Sequence, residues 1–326
     1  MQRSTPVKRL TSRRARIAVL LCAALLAVPA RASLAQDTTV AVAARPAPTD
    51  TATPRGTPPR DAADRAPLVT TRETALGAGF AVATAALMPF DQRVAISLQR
   101  PGLQQHAALS HAATGLELLA IPGVFLGSGA AFLAGRVEHR RSLADVGLHV
   151  GEASVVATAL TEVLKSVAGR ARPYVSHDTN PHDFGFGRGL TKGEDYSAFP
   201  SAHATVAFAA ATALTEEITR WRPQATRVVA PLAYGGATLV GLARMYHDQH
   251  WASDVVLGAG VGTLSGLAVV RRQHARPRNW IDRTLLGAVV TPVPGGLAVR
   301  WSVPADVAHR DVSRSAGRPS AAAPRG

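Results

Sequence analysis

The 326-residue chain has one cysteine, few aromatic residues and little negative charge. Cys22 is the only thiol, so the chain can form no internal disulfide and no metal site built from several cysteines. Aromatic residues make up 5% of the chain and apolar residues 47%. A core therefore has to be built mainly from Ala, Val, Leu and Gly, which favours closely packed helices.

Acidic residues are outnumbered, with 36 Lys and Arg against 22 Asp and Glu and a net charge of +14. Residues 1–32 hold seven of the basic residues and no acidic one, so half of the excess lies there. The remainder is spread over several loops and the C-terminal tail. Because no basic stripe with interleaved aromatic residues remains, nucleic acid is not an expected partner.

Residues 1–35 have the pattern of a signal peptide. A basic stretch ends at Arg16, the apolar run Ile17–Ala30 follows, and small residues at Ala32 or Ala35 suit cleavage. This pattern predicts export to the periplasm or cell envelope. An uncleaved membrane anchor is the alternative that the pattern leaves open.

The rest of the chain divides by texture into a disordered linker (36–68), a helical domain (69–278), a β-hairpin extension (279–307) and a disordered tail (308–326). The linker and the tail are rich in Ala, Pro, Thr, Ser and Arg without periodicity. In the helical domain, charges, prolines and capping residues separate apolar segments of helical length. We place these segments at 72–89, 113–135, 143–168, 202–220, 225–244 and 251–272.

A first cluster of cations stands at a predicted helix exit. Lys165 is followed after six residues by Arg172 and Pro173. Because a proline disfavours helical geometry in the residue before it, the helix is expected to end at Arg172 and to leave both cations at its mouth. The guanidinium fork and the mobile ammonium group both suit phosphate oxygens. Basic residues are common at helix ends in any case, so this cluster alone is weak evidence.

A second cluster marks a predicted helix start at Ser201, Ala202 and His203. Ser201 stands at the N-cap position, so its hydroxyl and the free N–H groups of the first turn would face an anion. His203 would face the same anion and could protonate a leaving oxygen.

A third cluster comprises Arg244, His250 and Asp254. On a helix, His250 and Asp254 would share a face, and the carboxylate would accept the imidazole Nδ1 proton. That bond would expose Nε2 as a nucleophile and stabilise the cation formed when it attacks phosphorus. Arg244 would add another phosphate contact.

The three clusters, in this order, resemble the signature motifs of the type 2 phosphatidic acid phosphatase superfamily, which also includes bacterial acid phosphatases and vanadium haloperoxidases. The resemblance covers about residues 140–272 and implies an all-α, six-helix bundle of the acid phosphatase/haloperoxidase type. It further implies that no metal or other cofactor is needed. By the same resemblance, the nucleophile is His250, its orienting partner Asp254 and the general acid His203, while phosphate is bound by Lys165, Arg172, Ser201, the Ala202 N–H and Arg244.

Two residues depart from the family pattern. Ala202 replaces a glycine in the second motif, and Ala243 replaces the serine that precedes the motif arginine. Ala202 keeps its N–H donor but adds a methyl group at the phosphate wall and disfavours a positive φ. It is therefore expected to narrow the substrate range without removing a catalytic group.

The sequence thus predicts a metal-independent phosphatase that hydrolyses phosphate esters through a phosphohistidine. The substrate is a lipid phosphate or pyrophosphate, or a small phosphomonoester. A vanadate-dependent haloperoxidase and a non-catalytic envelope protein are the alternatives. The Gly- and Asp-rich segment 174–197 is expected to form a mobile loop over the pocket, and its scattered His and Asp residues match no metal-binding spacing.

Basic residues between the apolar segments cluster away from the three motifs, at 136–141, 220–227 and 271–278. If the helices span a membrane, the positive-inside rule places the site outside the cytoplasm. An exported N-terminus followed by six spans would place it on the wrong side, so segment 72–89, ended by Pro89, is expected not to span. A soluble bundle is the other interpretation, and the sequence does not determine the oligomeric state.

Overall fold

The computed structural model describes residues 69–275 and the backbone of two short strands, β1 (Val289–Val293) and β2 (Gly296–Arg300). The strands pair antiparallel, with Val290 opposite Val299. They lie within the region for which the sequence predicts a hairpin extension, whose bounds stay a prediction. The predicted signal peptide, linker and tail fall outside the described residues.

Between residues 69 and 275 the domain is helical, as the sequence predicts, and each predicted apolar segment overlaps a helix. Short 3₁₀ turns and a π-turn at Leu119–Gly123, which contains Pro122, join several of the helices. The helices are α1 (Thr71–Leu87), α2 (Asp91–Leu98), α3 (Pro101–Gln104), α4 (Ala107–Leu118), α5 (Val124–Val137), α6 (Arg141–Ala168), α7 (Arg188–Thr191), α8 (Ala202–Trp221), α9 (Thr226–Tyr246) and α10 (Ala252–Ala275).

The first apolar segment is longer than predicted. Pro89 does not end it, because the 3₁₀ turn Met88–Phe90 accepts a proline near its start and leads directly into α2. At one end, Arg271 near the end of α10 donates to Glu73 at 3.0 Å. At the other end, the Ser253 N–H at the start of α10 donates to Asp91 at 2.9 Å. The α1–α2 unit therefore runs antiparallel to α10 over the full bundle, and the expectation that this segment is too short to span is wrong.

Helix α8 packs at the centre of the bundle, against α6, α9 and α10. Its contact with α10 depends on Gly258, Gly262 and Gly266, which form a stripe with a spacing of four residues. A Cβ at Gly258 would lie 2.7 Å from the Ser201 carbonyl oxygen, and one at Gly262 would lie 2.2 Å from that of Thr205. The glycines thus allow the backbones of α8 and α10 to approach closely. A core with few aromatic side chains needs such close packing to leave no voids.

Helix α6 ends at Ala168, where the predicted apolar segment ends, and four residues before Arg172, where the proline argument places its end. Gly169 stops it with a left-handed φ of 54° and donates its N–H to the Lys165 carbonyl. A Cβ there would lie 2.0 Å from the Gly185 carbonyl oxygen, so only glycine fits. Arg172, which was expected to end the helix, instead has extended backbone geometry before Pro173.

The outer surface of the bundle is apolar. Leu126, Leu232 and Val163, on three different helices, are 74%, 71% and 61% exposed. Five segments are long and apolar enough to cross a membrane. Such continuous exposed apolar surface is typical of membrane-embedded proteins and unfavourable in water. The five segments are Thr71–Leu98, Ala107–Val137, Arg141–Ser176, Pro223–Tyr246 and Ala252–Ala275.

Candidate active site

The three predicted clusters meet in one pocket of about 360 Å³ at the end of the bundle where α6 and α9 end and α8 and α10 begin. They lie between Lys165 and Asp254, over about a quarter of the chain, so the antiparallel packing of these helices brings them together. The predicted residues that line the pocket are Lys165, Arg172, Ala202, His203, Arg244 and His250.

His250 lies in the turn between α9 and α10, and its side chain is 2% exposed. Its Nδ1 is 2.7 Å from the backbone carbonyl oxygen of Ala198. Because a carbonyl oxygen only accepts hydrogen bonds, Nδ1 must carry the proton of the neutral imidazole. The Nε2 atom is then left with its lone pair, which is the form a nucleophile requires.

Asp254 does not make the hydrogen bond that the sequence predicts. Helix α10 begins at Ala252, so His250 precedes it, and the distance from His250 Nδ1 to Asp254 Oδ2 is 3.7 Å. The Ala198 carbonyl takes the Nδ1 proton instead. Asp254 accepts from the Trp251 N–H at 2.8 Å and from Arg170, which fixes the turn that carries His250.

Arg170 is a central residue that the sequence interpretation missed. Its side chain is fully buried and donates to Asp254 and, at 2.8 Å, to both Asp91 and Ser253. The Pro181 carbonyl also accepts from Nε at 3.0 Å. One guanidinium thus compensates two buried carboxylates and joins α2, the start of α10 and the segment after α6.

Ser201 is the N-cap residue of α8, as predicted, but its side chain caps no backbone N–H. The residue is fully buried, and Oγ has no hydrogen-bond partner within residues 69–275. A buried hydroxyl without a partner is costly unless a ligand satisfies it. Together with the free N–H groups of the first turn of α8, this hydroxyl is able to donate to an anion.

Each of the three cations of the pocket, Lys165, Arg172 and Arg244, is paired with a carboxylate of the same chain. Lys165 Nζ lies 3.4 Å from Glu162. Arg244 Nη1 lies 2.8 Å from Glu117 on α4, and Arg244 Nε has no partner within the described residues. The predicted Arg172 reaches Glu194, whose side chain is 80% exposed.

Gln249 holds the two arginines together. Its Oε1 accepts from Arg172 at 2.8 Å and from Arg244 at 3.5 Å. Neither Gln249 nor Glu117 carried a sequence signal of its own, because each is defined by a partner on another element. The adjacency of Gln249 to His250 was the only available hint.

Burial lowers the pKa of His250 well below its ordinary value, and the positive charges of Arg172, Arg244 and Lys165 lower it further. Both effects disfavour an imidazolium at this position. His250 is therefore neutral, with a free Nε2, at neutral pH. Asp248, two residues earlier, has its pKa raised to about 7 by burial and by the neighbouring Asp178.

The segment 174–197, expected to be a mobile loop, is tied to the bundle at several points. Arg188 donates to the Gly169 carbonyl at 3.0 Å, and the Arg172 N–H donates to the Asp195 carbonyl at 2.9 Å. Within the segment, the Tyr174 hydroxyl donates to Asp195 at 2.6 Å. These bonds hold the base of the segment, while Glu194 reaches from it into the pocket. Motion of the whole loop stays a prediction.

The pocket thus combines three cations, the start of a helix and a buried neutral imidazole. Residues 147–278 match the family model described as the PAP2 superfamily, the type 2 phosphatidic acid phosphatases. The resemblance seen in the three sequence motifs is thereby confirmed.

A curated relative and a solved structure also match. The chain is 36% identical over 87 residues to the lipid A 1-phosphatase of Porphyromonas gingivalis, a match that spans 27% of this chain and 19% of that protein. The phosphatidylglycerolphosphate phosphatase of Bacillus subtilis, described as a transmembrane PAP2-type enzyme, aligns with a TM-score of 0.48 and 22% identity. That alignment covers 64% of this chain and all of the other.

Proposed function

We propose that the protein is a metal-independent phosphatase that hydrolyses phosphate monoesters or pyrophosphates of lipids through a phosphohistidine at His250. The observation that carries the proposal is the orientation of the His250 imidazole. Its Nδ1 proton is bound by the Ala198 carbonyl, so Nε2 is free in a pocket lined by three cations. The match of residues 147–278 to the PAP2 superfamily model supports the same chemistry.

In the first step, the phosphate oxygens bind to Lys165, Arg172 and Arg244 and to the donors at the start of α8. Since this charge is fixed before reaction, it stabilises the transition state without reorganisation. His250 Nε2 attacks phosphorus while the bond to the leaving oxygen breaks. Burial and the positive charges around it lower the pKa of His203 to about 3 in the free protein, so we expect it to take up its proton only with the phosphate dianion bound. That proton goes to the leaving oxygen, and the product alcohol or phosphate departs.

In the second step, a water molecule attacks the phosphohistidine and gives a proton to His203. The P–N bond breaks, its electron pair returns to Nε2, and inorganic phosphate is released. Both steps thus regenerate the starting protonation states. Asp254, 3.7 Å from Nδ1, stabilises the positive charge of the imidazole ring during the reaction.

An apolar groove beside the pocket favours a lipid substrate. It has a volume of about 450 Å³ and lies between α5, α6, α8 and α9. The π-turn joins the two cavities, because Ile121 lines the phosphate pocket whereas Ala120 and Gly123 line the groove. An acyl chain in the groove would place its head group at the cations. The name of the Porphyromonas relative supports the same substrate class.

Kinetics with two substrates can test both parts of the proposal. We expect phosphate release from a long-chain lipid phosphate in detergent micelles with a chelator present. His250→Ala should abolish it, by about 10⁴-fold or more, whereas the exposed His106→Ala should not. Acid-labile, alkali-stable labelling of the wild type by radioactive substrate would show the phosphohistidine. Activity that persists in His250→Ala would overturn the nucleophile assignment.

Gly236→Leu tests the groove separately. A Cβ at Gly236 meets nothing within 4 Å, so a larger side chain fills the groove without a backbone clash. We expect the KM for the lipid phosphate to rise while the kinetics with p-nitrophenyl phosphate stay unchanged. Equal effects on both substrates would contradict the groove as the acyl site.

The basic residues indicate the orientation of the site. Arg136, Arg141, Arg220 and Arg271 lie at the bundle end opposite the pocket, so the positive-inside rule puts that end in the cytoplasm and the pocket outside. The α1–α2 unit begins at this same basic end. Thr71 then lies in the cytoplasm. Cleavage of a signal peptide would leave the new N-terminus outside, so the chain before Thr71 would have to cross the membrane once more.

Cysteine labelling in intact cells decides the orientation. In a Cys22→Ser background, Lys192→Cys marks the pocket end and His139→Cys the basic end, since both side chains are exposed. A membrane-impermeant maleimide should label the first and not the second. The reverse result would place the active site in the cytoplasm.

A further inference from the structure

A second cluster of functional side chains lies at the basic end of the bundle, far from the phosphate pocket. It comprises His149 on α6, Glu217 on α8 and His274 on α10. These three helices pack against one another. His149 lies about two turns after the start of α6, Glu217 about one turn before the end of α8, and His274 next to the last residue of α10. Nothing in the proposed phosphatase mechanism uses them.

The donor atoms of the three side chains converge. His149 Nδ1 and His274 Nε2 each lie 2.7 Å from the same oxygen, Glu217 Oε1. All three candidate ligand atoms lie within 4.8 Å of one another. Ligand atoms about 2.0–2.1 Å from a tetrahedral zinc ion lie roughly 3.3 Å apart. The two contacts to Glu217 would lengthen by about 0.6 Å, and the two imidazole nitrogens, at most 4.8 Å apart, would approach each other by up to about 1.5 Å, to form a coordination site.

The charge of the cluster requires compensation. Glu217 is fully buried, and Asp145, one helical turn before His149 on the same face of α6, is 2% exposed. Asp145 Oδ1 has no hydrogen-bond partner within residues 69–275. Asp145 Oδ2 is 3.7 Å from Arg141, whose side chain is 74% exposed and therefore compensates little of this charge. Two buried carboxylates beside two imidazoles are neutralised by one divalent cation.

We propose that His149, Glu217 and His274 bind a divalent transition metal, with zinc as the best match and Asp145 as the fourth ligand or as the acceptor of a metal-bound water. A donor set of two imidazoles and carboxylate oxygens favours zinc, because calcium and magnesium prefer oxygen ligands alone. The ion would join α6, α8 and α10 at the end remote from catalysis. Its role is structural, since no phosphate-binding residue lies beside it.

The surroundings of the cluster fit such a site. The Trp221 indole N–H donates to the other Glu217 oxygen, Oε2, at 3.2 Å and so orients the carboxylate. His274 is 20% exposed, which provides an entry path for the ion.

Metal binding can be measured without any phosphatase assay. The full-length protein in detergent is stripped with a chelator, returned to buffer and titrated with Zn²⁺ against a chromophoric competitor. We expect one Zn²⁺ per chain, a higher thermal midpoint on binding, and visible absorption of a tetrahedral complex when Co²⁺ replaces Zn²⁺. A wild-type chain that binds neither ion at this stoichiometry would overturn the proposal.

Variants locate the site. His274→Ala, at the most exposed ligand, should weaken Zn²⁺ binding by at least about 100-fold and remove the Co²⁺ spectrum. His139→Asn is the matched control, because His139 is exposed at the same end and Asn tolerates its left-handed φ of 55°. If His274→Ala failed to fold, Glu217→Gln would serve for the same measurement. Binding that survives both changes would contradict the site.

His250→Ala separates this proposal from the proposed phosphatase activity. It should abolish phosphate release and leave Zn²⁺ binding unchanged. Loss of Zn²⁺ binding in His250→Ala would place the metal in the phosphate pocket and overturn the proposal. Phosphate release that persists in His250→Ala would instead contradict the catalytic assignment alone.

Discussion

Arg170 and Arg172 are two residues apart in the sequence and have opposite surroundings in the structure. Arg170 is fully buried and bonded to Asp91, Asp254 and Ser253, none of which is exposed to the pocket. Arg172 lines the pocket, and its carboxylate partner Glu194 has an 80% exposed side chain. The first arginine is saturated by the protein, whereas a substrate can replace the partner of the second.

This difference separates the residues that build the site from those that bind substrate. The hydrogen bonds of Arg170 position, through Asp254, the turn that carries His250. The Arg172 side chain presents its positive charge to phosphate. A buried ion pair that loses one member leaves an uncompensated charge in a low-dielectric environment, whereas an exposed pair contributes little to stability. Substitutions of the two arginines should therefore affect different measurements.

The largest effect is expected for Arg170→Met. It would leave Asp91 and Asp254 buried without a counter-charge, so the free energy of unfolding should fall by about 3–5 kcal/mol. Thermal unfolding in detergent measures this loss, and activity should disappear with the fold. Adding Asp91→Asn removes one of the two charges and should restore part of the stability. A stable Arg170→Met protein would show that the two carboxylates are protonated or otherwise compensated.

Arg172→Ala should instead lower the activity and leave the stability nearly unchanged. We expect kcat/KM to fall by about 10²–10³-fold, as when one donor to a transition-state oxyanion is removed. The thermal midpoint should change little, because Glu194 is left in solvent. The exposed Arg100→Ala serves as the control for the loss of one positive charge. An Arg172→Ala protein with wild-type kinetics would remove Arg172 from the phosphate site.

The pH dependence of kcat/KM tests a second role of Arg172, its effect on the pKa of His250. Burial and the positive charges of Arg172, Arg244 and Lys165 lower the pKa of His250, so the nucleophile stays neutral below pH 6.5 in the wild type. Removing one of these charges in Arg172→Gln favours the imidazolium and raises the pKa. The acid limb of kcat/KM, which reports the free enzyme, should move to higher pH by up to about one unit. A shift to lower pH would contradict this electrostatic role.

The contrast between the two arginines also shows which features of the site could not be predicted from the sequence. The three motifs predicted the helical class, the residues that line the pocket and the N-cap position of Ser201, because each motif is local and stands at a helix end. Arg170 and Arg172 look alike in sequence, and only partners such as Asp91, 79 residues away, distinguish them. The Ala198 carbonyl that orients His250 has no sequence signal at all, since any residue supplies one.

Helix boundaries were missed for similar reasons. Pro89 and Pro173 are local stop signals, yet a 3₁₀ turn continues through the first, and Gly169 ends α6 before the second. The requirement for glycine comes from the Gly185 carbonyl, which the segment 174–197 brings against the helix end. Such tertiary contacts override local preferences and are not visible in a pattern of residues.

The smallest effect is expected for Glu194→Gln. The Glu194 carboxylate occupies Arg172 in the way a phosphate oxygen would, so substrate has to displace it. Because the pair is exposed on one side, its loss should lower the KM for a phosphate ester, and the Ki of inorganic phosphate, by no more than about fivefold, with kcat unchanged. Glu138→Gln, at the opposite end of the bundle, controls for the change in net charge. A higher KM in Glu194→Gln would mean that Glu194 positions Arg172 for substrate instead of competing with it, and the distinction between a saturated and an exchangeable arginine would then not hold.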